Sequence, residues 1–177
     1  FRNEGWKVGP PVDRKYRSHG LSWDLSKEPD QQRLAYVISS VLRPLLVHLG
    51  IPCTKLCQIG KREGCSLIDS EVSRETECLV DFSLDVMDHQ VQKGRLASKE
   101  NPVGSGLHEL TSVVTAQGTL QRPRKPWSHV RADGCALGMV YEGEDDQKGM
   151  AMRKGQIWTA NFSLEDMGLR LSLIHIS

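Results

Sequence analysis

Leu45-Leu46-Val47-His48-Leu49-Gly50-Ile51-Pro52-Cys53-Thr54 is a short apolar run that stops at a glycine and a proline and leaves a cysteine on its exit. Its length and its position after a helical segment point to a buried parallel strand. Upstream, Leu34, Val37, Ile38, Val41 and Leu42 fall at i, i+3, i+4, i+7 and i+8. That spacing predicts a helix capped by Asp30 and stopped by Pro44, which lacks an amide donor and clashes with the preceding turn. Downstream, Leu79, Phe82, Val86, Met87 and Val91 predict the inner face of a second helix ended by Gly94. A strand at 95–99 follows, ending at Glu100-Asn101-Pro102. Ser105 then caps a third predicted helix with Leu107, Leu110, Val113 and Val114 inside and Gly118 after it.

Working outward, residues 5–9 and 21–26 read as short strands before the first helix. Residues 127–130, 135–141 and 156–162 read as strands after the third. The acidic stretch Glu142, Glu144, Asp145 and Asp146 forms the tip of a hairpin joining the last two, added antiparallel at the sheet edge. Helices alternating with short buried strands give an α/β chain with a doubly wound sheet.

The 177 residues are 38% hydrophobic and 25% charged, which suffices for one domain with a core. Lysine plus arginine number 23 and aspartate plus glutamate 22, a net charge of +1 that argues against gripping duplex nucleic acid by bulk electrostatics. No apolar run approaches the roughly 18–20 residues of a membrane-spanning helix. The five cysteines are expected to be reduced thiols in a nucleus or cytoplasm. Cys53, Cys57, Cys65 and Cys78, even with His48, lack the paired knuckles of a zinc site, and the acidic cluster reads as a solvated hairpin tip, so no metal is expected. Arg122, Arg124 and Lys125 could face nucleic acid, or could be a solvated linker beside a core-anchored Trp127.

In open α/β sheets the chemistry sits at the carboxyl ends of the strands. Two ends here carry reactive groups: Pro52-Cys53-Thr54 and Glu100-Asn101-Pro102. A thiolate at Cys53 would be a nucleophile, and a carboxylate on the neighbouring strand could hydrogen-bond a ring nitrogen or deliver a proton.

Pro-Cys after one strand, a helix, then Glu-Asn-Pro after the next resembles the cytosine-C5 DNA methyltransferases. Their fold is the class I S-adenosylmethionine-dependent one, a Rossmann-like doubly wound sheet of methyltransferase type with a late antiparallel hairpin. The resemblance extends to Val12-Asp13, to Trp23-Asp24-Leu25, and to the late stretches Cys135-Ala136-Leu137-Gly138 and Gln156-Ile157-Trp158. It implies that Cys53 attacks C6 of a cytosine, that Glu100 contacts N3 and the exocyclic amine, and that Asn101 positions the loop. It further implies that Asp13 holds the ribose of S-adenosylmethionine and Asp24 its adenine, with the target base flipped out of the nucleic acid, DNA or RNA. The chain is also similar to methyltransferase-like domains of mobile-element polyproteins.

On this reading residues 1–170 are a truncated domain whose first strand and glycine-rich loop are missing, so that the fragment itself is expected to bind the cofactor poorly and to be inactive. The final Leu171-Ser172-Leu173-Ile174-His175-Ile176-Ser177 resembles the translation of a sequencing-library adapter. Two rivals remain: a non-catalytic α/β interaction domain of a mobile-element polyprotein, and a thiol hydrolase pairing Cys53 with a histidine such as His48.

Overall fold

The computed structural model describes residues 7–9, 11–14, 22–52, 70–133 and 155–164. The chain divides into two compact units, Phe1–Arg43 and Pro44–Ser177.

In the first unit, α1 spans Glu28–Tyr36 and runs on into a π-helical turn, Val37–Leu42. Pro29 suits the first turn, where its missing amide costs nothing, and Glu28 and Asp30 place negative charge at the positive end of the helix dipole. The expected cap is displaced: Asp30 lies inside the first turn, and Lys27 occupies the cap position without a side-chain bond. The Asp30 carboxylate instead accepts from the Asp24 amide at 2.7 Å and from Arg33 at 2.6 Å. Arg33 also lies over the Trp23 ring, 4.3 Å from its centre. Leu34 and Ile38 are buried as the spacing requires, but Val41 and Leu42 are exposed. Pro44 disfavours the α conformation in the residue before it, and Arg43 takes the left-handed one (φ 45°, ψ 53°).

Among the described residues the two expected early strands are not formed. Residues 7–9 and 22–24 have no regular structure, and 25–27 turn into α1. The apolar residues of 22–26 serve this turn, where Lys27 N–H donates to Asp24 O at 2.8 Å and Gln31 reaches back to Leu25 O, also at 2.8 Å.

The second unit is an α/β arrangement around a four-stranded mixed sheet in the order β1-β2-β4-β3. The strands are β1 (Leu46–Gly50), β2 (Leu96–Pro102), β3 (Ser128–Asp133) and β4 (Gly155–Ala160). β1 and β2 are parallel, joined through α2 (Ser70–Gln92). β4 is antiparallel to both β2 and β3. Two expectations change. β1 is partly exposed, because among the described strands it lies at one end of the sheet with β2 its one neighbour. The late antiparallel strand β4 is inserted between β2 and β3 rather than added at the edge. The expected strand 135–141 and the acidic hairpin tip lie outside the described residues.

Strand side chains alternate between faces. One face carries Leu49, Ala97 and the ring of Trp127, packed against Met87 and Val91 of α2. Ile51, Val80, Leu107 and Val113 continue this core with Leu84 and Leu110. The inner stripe of α2 is therefore Val80, Ser83, Val86, Met87 and Gln90: Val86 and Met87 are buried as expected, whereas Val80, Ser83 and Gln90 take the buried places expected for Leu79, Phe82 and Val91, and two of these are polar. Ser83 satisfies itself on Leu79 O at 2.6 Å. Gln90, fully buried, donates to Pro44 O and to Leu96 O, each at 3.1 Å, and so ties together the starts of β1 and β2.

The third predicted helix divides in two. Ser105 does cap, accepting from Leu107 N at 3.2 Å, but what it caps is a 3-10 turn, Gly106–Glu109. Leu110 is extended (φ −62°, ψ 134°), and α3 (Thr111–Gln117) begins after it. The break resets the helical phase, so Val113 and Gln117 face inward and Val114, expected inside, is exposed. Gly118 ends α3 with φ 78°, and a Cβ there would lie 2.3 Å from Arg122 O, so only glycine fits.

Replacing Gln90 by leucine keeps the volume and leaves two carbonyl oxygens without this donor. Chemical denaturation should show a loss of about 1–3 kcal/mol, the cost of a buried polar group left unmatched.

Candidate active site at the carboxyl end of β2

The parallel register sets Gly50, the last residue of β1, beside Glu100, and β2 continues to Pro102. Asn101 is 1% exposed, and its Nδ2 donates to Ile51 O at 2.8 Å. The bond joins the last turn of β2 to the backbone two residues before Cys53. Cys53 itself lies outside the described residues, as do Cys57 and Cys65. Cys78 on α2 is exposed.

Glu100 and Asn101 are consecutive in a strand and point to opposite faces. Asn101 shares the helix-covered face with Ala97 and Lys99. Glu100 shares the other with Ser98 and, by register, with His48 of β1 and with Trp158 and Gln156 of β4. On that face the His48 and Trp158 rings stack with centres 5.1 Å apart and planes 20° apart, spanning β2. His48 Nδ1 lies 3.0 Å from Ser98 Oγ. Desolvation of the ring pushes the His48 pKa below its usual value.

The helix-covered face holds a second polar group that the sequence reading did not isolate. Lys99, Thr159 and His129 stand in one row across β2, β4 and β3. Lys99 is 1% exposed, and its Nζ has no hydrogen-bond partner. His129 Nε2 donates to Gln117 O at 2.9 Å, since a carbonyl only accepts, which leaves Nδ1 to accept from the Thr159 hydroxyl at 2.8 Å. His108 Nε2 likewise donates to Pro102 O at 3.1 Å, fastening the 3-10 turn to the end of β2. Desolvation pushes Lys99 down to about 8. It also lowers both histidines, opposed by their bonds to backbone carbonyls and reinforced by the Lys99 charge. One signal was present in the sequence: Ser98-Lys99-Glu100-Asn101 puts polar residues on both faces of a strand read as buried.

The two residues expected at the cofactor, Asp13 and Asp24, belong to the first unit. Asp13 is exposed. Asp24 Oδ1 accepts from Ser26 N at 3.2 Å and from Ser26 Oγ at 2.6 Å, and its Oδ2 lies 3.7 Å from Arg14 Nε. The Ser26 hydroxyl bond outweighs desolvation and, with the Ser26 amide, Arg14 and Lys27, holds the Asp24 carboxyl below its usual range. A carboxylate offers about four lone-pair sites, so Oδ2 of Asp24 keeps acceptor capacity for a ligand.

Arg122, Arg124 and Lys125 are exposed, while Trp127 after them is buried in the core. Arg124 is tied by its side chain to Thr115 O and by its amide to Gln117 O. Among the described residues no group of three or more metal-ligating side chains gathers, and no helix is long and apolar enough to cross a membrane.

Comparison of the chain with protein-family models, with curated proteins and with solved structures found no match in any of the three.

Lys99 supplies a direct test of the sheet's energetics. Its amine falls from 10.5 to about 8 on folding. A base whose pKa falls on folding destabilises the folded state wherever the unfolded chain stays protonated. The shift corresponds to a penalty of roughly 3 kcal/mol, fully present below pH 8 and gone above the unfolded value. Lys99→Met should therefore be more stable than the parent in urea at pH 7. The difference should shrink as pH rises from about 8 to about 10.5, where the parent gains stability relative to the variant.

Proposed function

We propose that this chain is part of a methyltransferase-like domain of the cytosine-C5 type, with a Rossmann-like sheet, acting on a cytosine in nucleic acid with S-adenosylmethionine as methyl donor. The observation that carries the proposal is the buried Asn101–Ile51 bond, which fastens the segment leading to Cys53 against the strand end bearing Glu100. A nucleophile and an acid supplied by adjacent parallel strands need such a fastening, because each strand alone leaves its exit loop free to move. A parallel pair with a helical crossover, followed by a late antiparallel pair, also supports a sheet of this type.

In this reading the Cys53 thiolate adds to C6 of the base, and the electron pair of the 5,6 double bond is drawn toward C5 and the ring. Glu100, protonated, donates to N3, accepts from the exocyclic amine with its other oxygen, and so stabilises the charge that the addition creates. Asn101 holds the Cys53 segment and touches no reacting atom. Asp13 and Asp24 Oδ2 are the acceptors that would hold the hydroxyls and the adenine of S-adenosylmethionine, which supplies the methyl group when bound.

Addition at C6 makes C5 exchange its hydrogen with solvent whether or not a methyl donor is present. The whole chain, incubated in D2O with a cytosine-containing oligonucleotide, should place deuterium at C5. Cys53→Ser should abolish the exchange, and Glu100→Gln should slow it by at least about a hundredfold. No exchange by the parent chain, or exchange that survives Cys53→Ser, would sink the proposal.

A further inference from the structure

Two polar atoms of β4 are buried without a hydrogen-bond partner: Gln156 Oε1 and Trp158 Nε1. Gln156 is 4% exposed. Such groups are uncommon in folded proteins, since each has given up its bonds to water without gaining one in return. These two lie on one face of one strand, beside the proposed site. Trp158 is the register partner of Glu100, and Gln156 is the partner of Pro102, one pleat further toward the carboxyl end of β2. The indole is held in place by its stack on His48, and His48 in turn has Ser98 Oγ at 3.0 Å. The N–H is therefore fixed in direction before any ligand arrives.

We infer that Gln156 and Trp158, together with Glu100, read the polar edge of a flat amino-heterocycle. The inference rests on the reading of this strand end as a base-binding site, and it assigns the choice of base to β4. The three side chains present two donors, the indole N–H and the Glu100 carboxyl proton, and two acceptors, the amide oxygen and the other carboxyl oxygen. A ring bearing an exocyclic amine offers two N–H groups to the two acceptors and its ring-edge acceptors to the two donors. Cytosine and adenine share this edge. Uracil and hypoxanthine carry a carbonyl oxygen in place of the amine, which sets lone pairs against two acceptors. Discrimination then comes from leaving buried polar groups unmatched, the stronger form of selectivity.

The whole chain, labelled with nitrogen-15, can be titrated with cytidine, uridine, adenosine and inosine while the Trp158 indole N–H resonance is followed. Its assignment comes from the signal lost in Trp158→Phe. The resonance should move with an amino-nucleoside, with affinity at least about tenfold above that for its carbonyl counterpart. Gln156→Met keeps the bulk and removes the acceptor, and should erase that preference while the remaining amide resonances stay in place. A response to cytidine alone assigns the surface to the substrate base, and a response to adenosine alone assigns it to the adenine of a cofactor; either supports the amino-edge inference. No movement with any nucleoside, equal movement with uridine and cytidine, or a preference that survives Gln156→Met overturns it. If C5 exchange fails while this preference persists, the methyl-transfer reading falls and the inference stands. If exchange persists without the preference, only the inference falls.

Discussion

The side-chain amide of Asn101, buried and bonded to Ile51 O, closes one end of a parallel strand pair whose other end is closed by Gln90 on Pro44 O and Leu96 O. Parallel strands cannot be joined by a tight turn, so β1 and β2 meet only because α2 carries the chain back across the sheet. The crossover fixes neither where β1 starts nor where it stops. Two amide side chains, each bonding strand-end carbonyls, set both limits, and the register from Leu46↔Leu96 to Gly50↔Glu100 lies between them. With that register held, Glu100 stands beside the exit of β1, and the rows across β4 and β3 follow by pairing.

The two faces of the sheet then do different work. On the helix-covered face, apolar packing of Met87, Ala97, Trp127 and Leu49 surrounds a basic row of Lys99 and His129, with His108 close by. Desolvation lowers the pKa of each histidine and a backbone carbonyl fixes its donor nitrogen, while Lys99 has no such anchor. The core therefore tolerates an uncompensated amine directly behind the strand end that carries Glu100. On the other face the His48–Trp158 stack bridges β2 between Ser98 and Glu100 and gives that strand end a rigid aromatic wall. Asn161 lengthens the same sheet at the opposite end of β2, its side chain accepting from Ala97 N and donating to Arg95 O, both at 2.8 Å.

The elements that the sequence made legible are those with enough turns or pleats to show a period. α1, α2 and β1 could be read from Leu34 and Ile38, from Val86 and Met87, and from the run ending at Gly50. Short elements misled where one local break changes the phase. The extended Leu110 turned Val114 outward, and the polar bonds around Asp24 and Asp30 made a turn out of a supposed strand. The site was legible only in part. Glu100 and Asn101 came from motif order, and Asn101 is bonded to Ile51 O. Gln90 and His129 carried no signal of their own, because their roles depend on Pro44 and Thr159, 46 and 30 residues away, whose register no local pattern encodes.

The adjacency of Glu100 and Asn101 follows from the geometry of a strand. This strand end places an acidic group on the face of His48 and Trp158 and holds the neighbouring strand's exit on the helix-covered face. Successive residues point to opposite faces, so an acid and an amide in sequence do both at one level of the sheet. A slip of one residue in the β1–β2 pairing would turn the two strands' faces against each other, and the amide of Asn101 would no longer meet Ile51 O. The asparagine thus rewards the correct register.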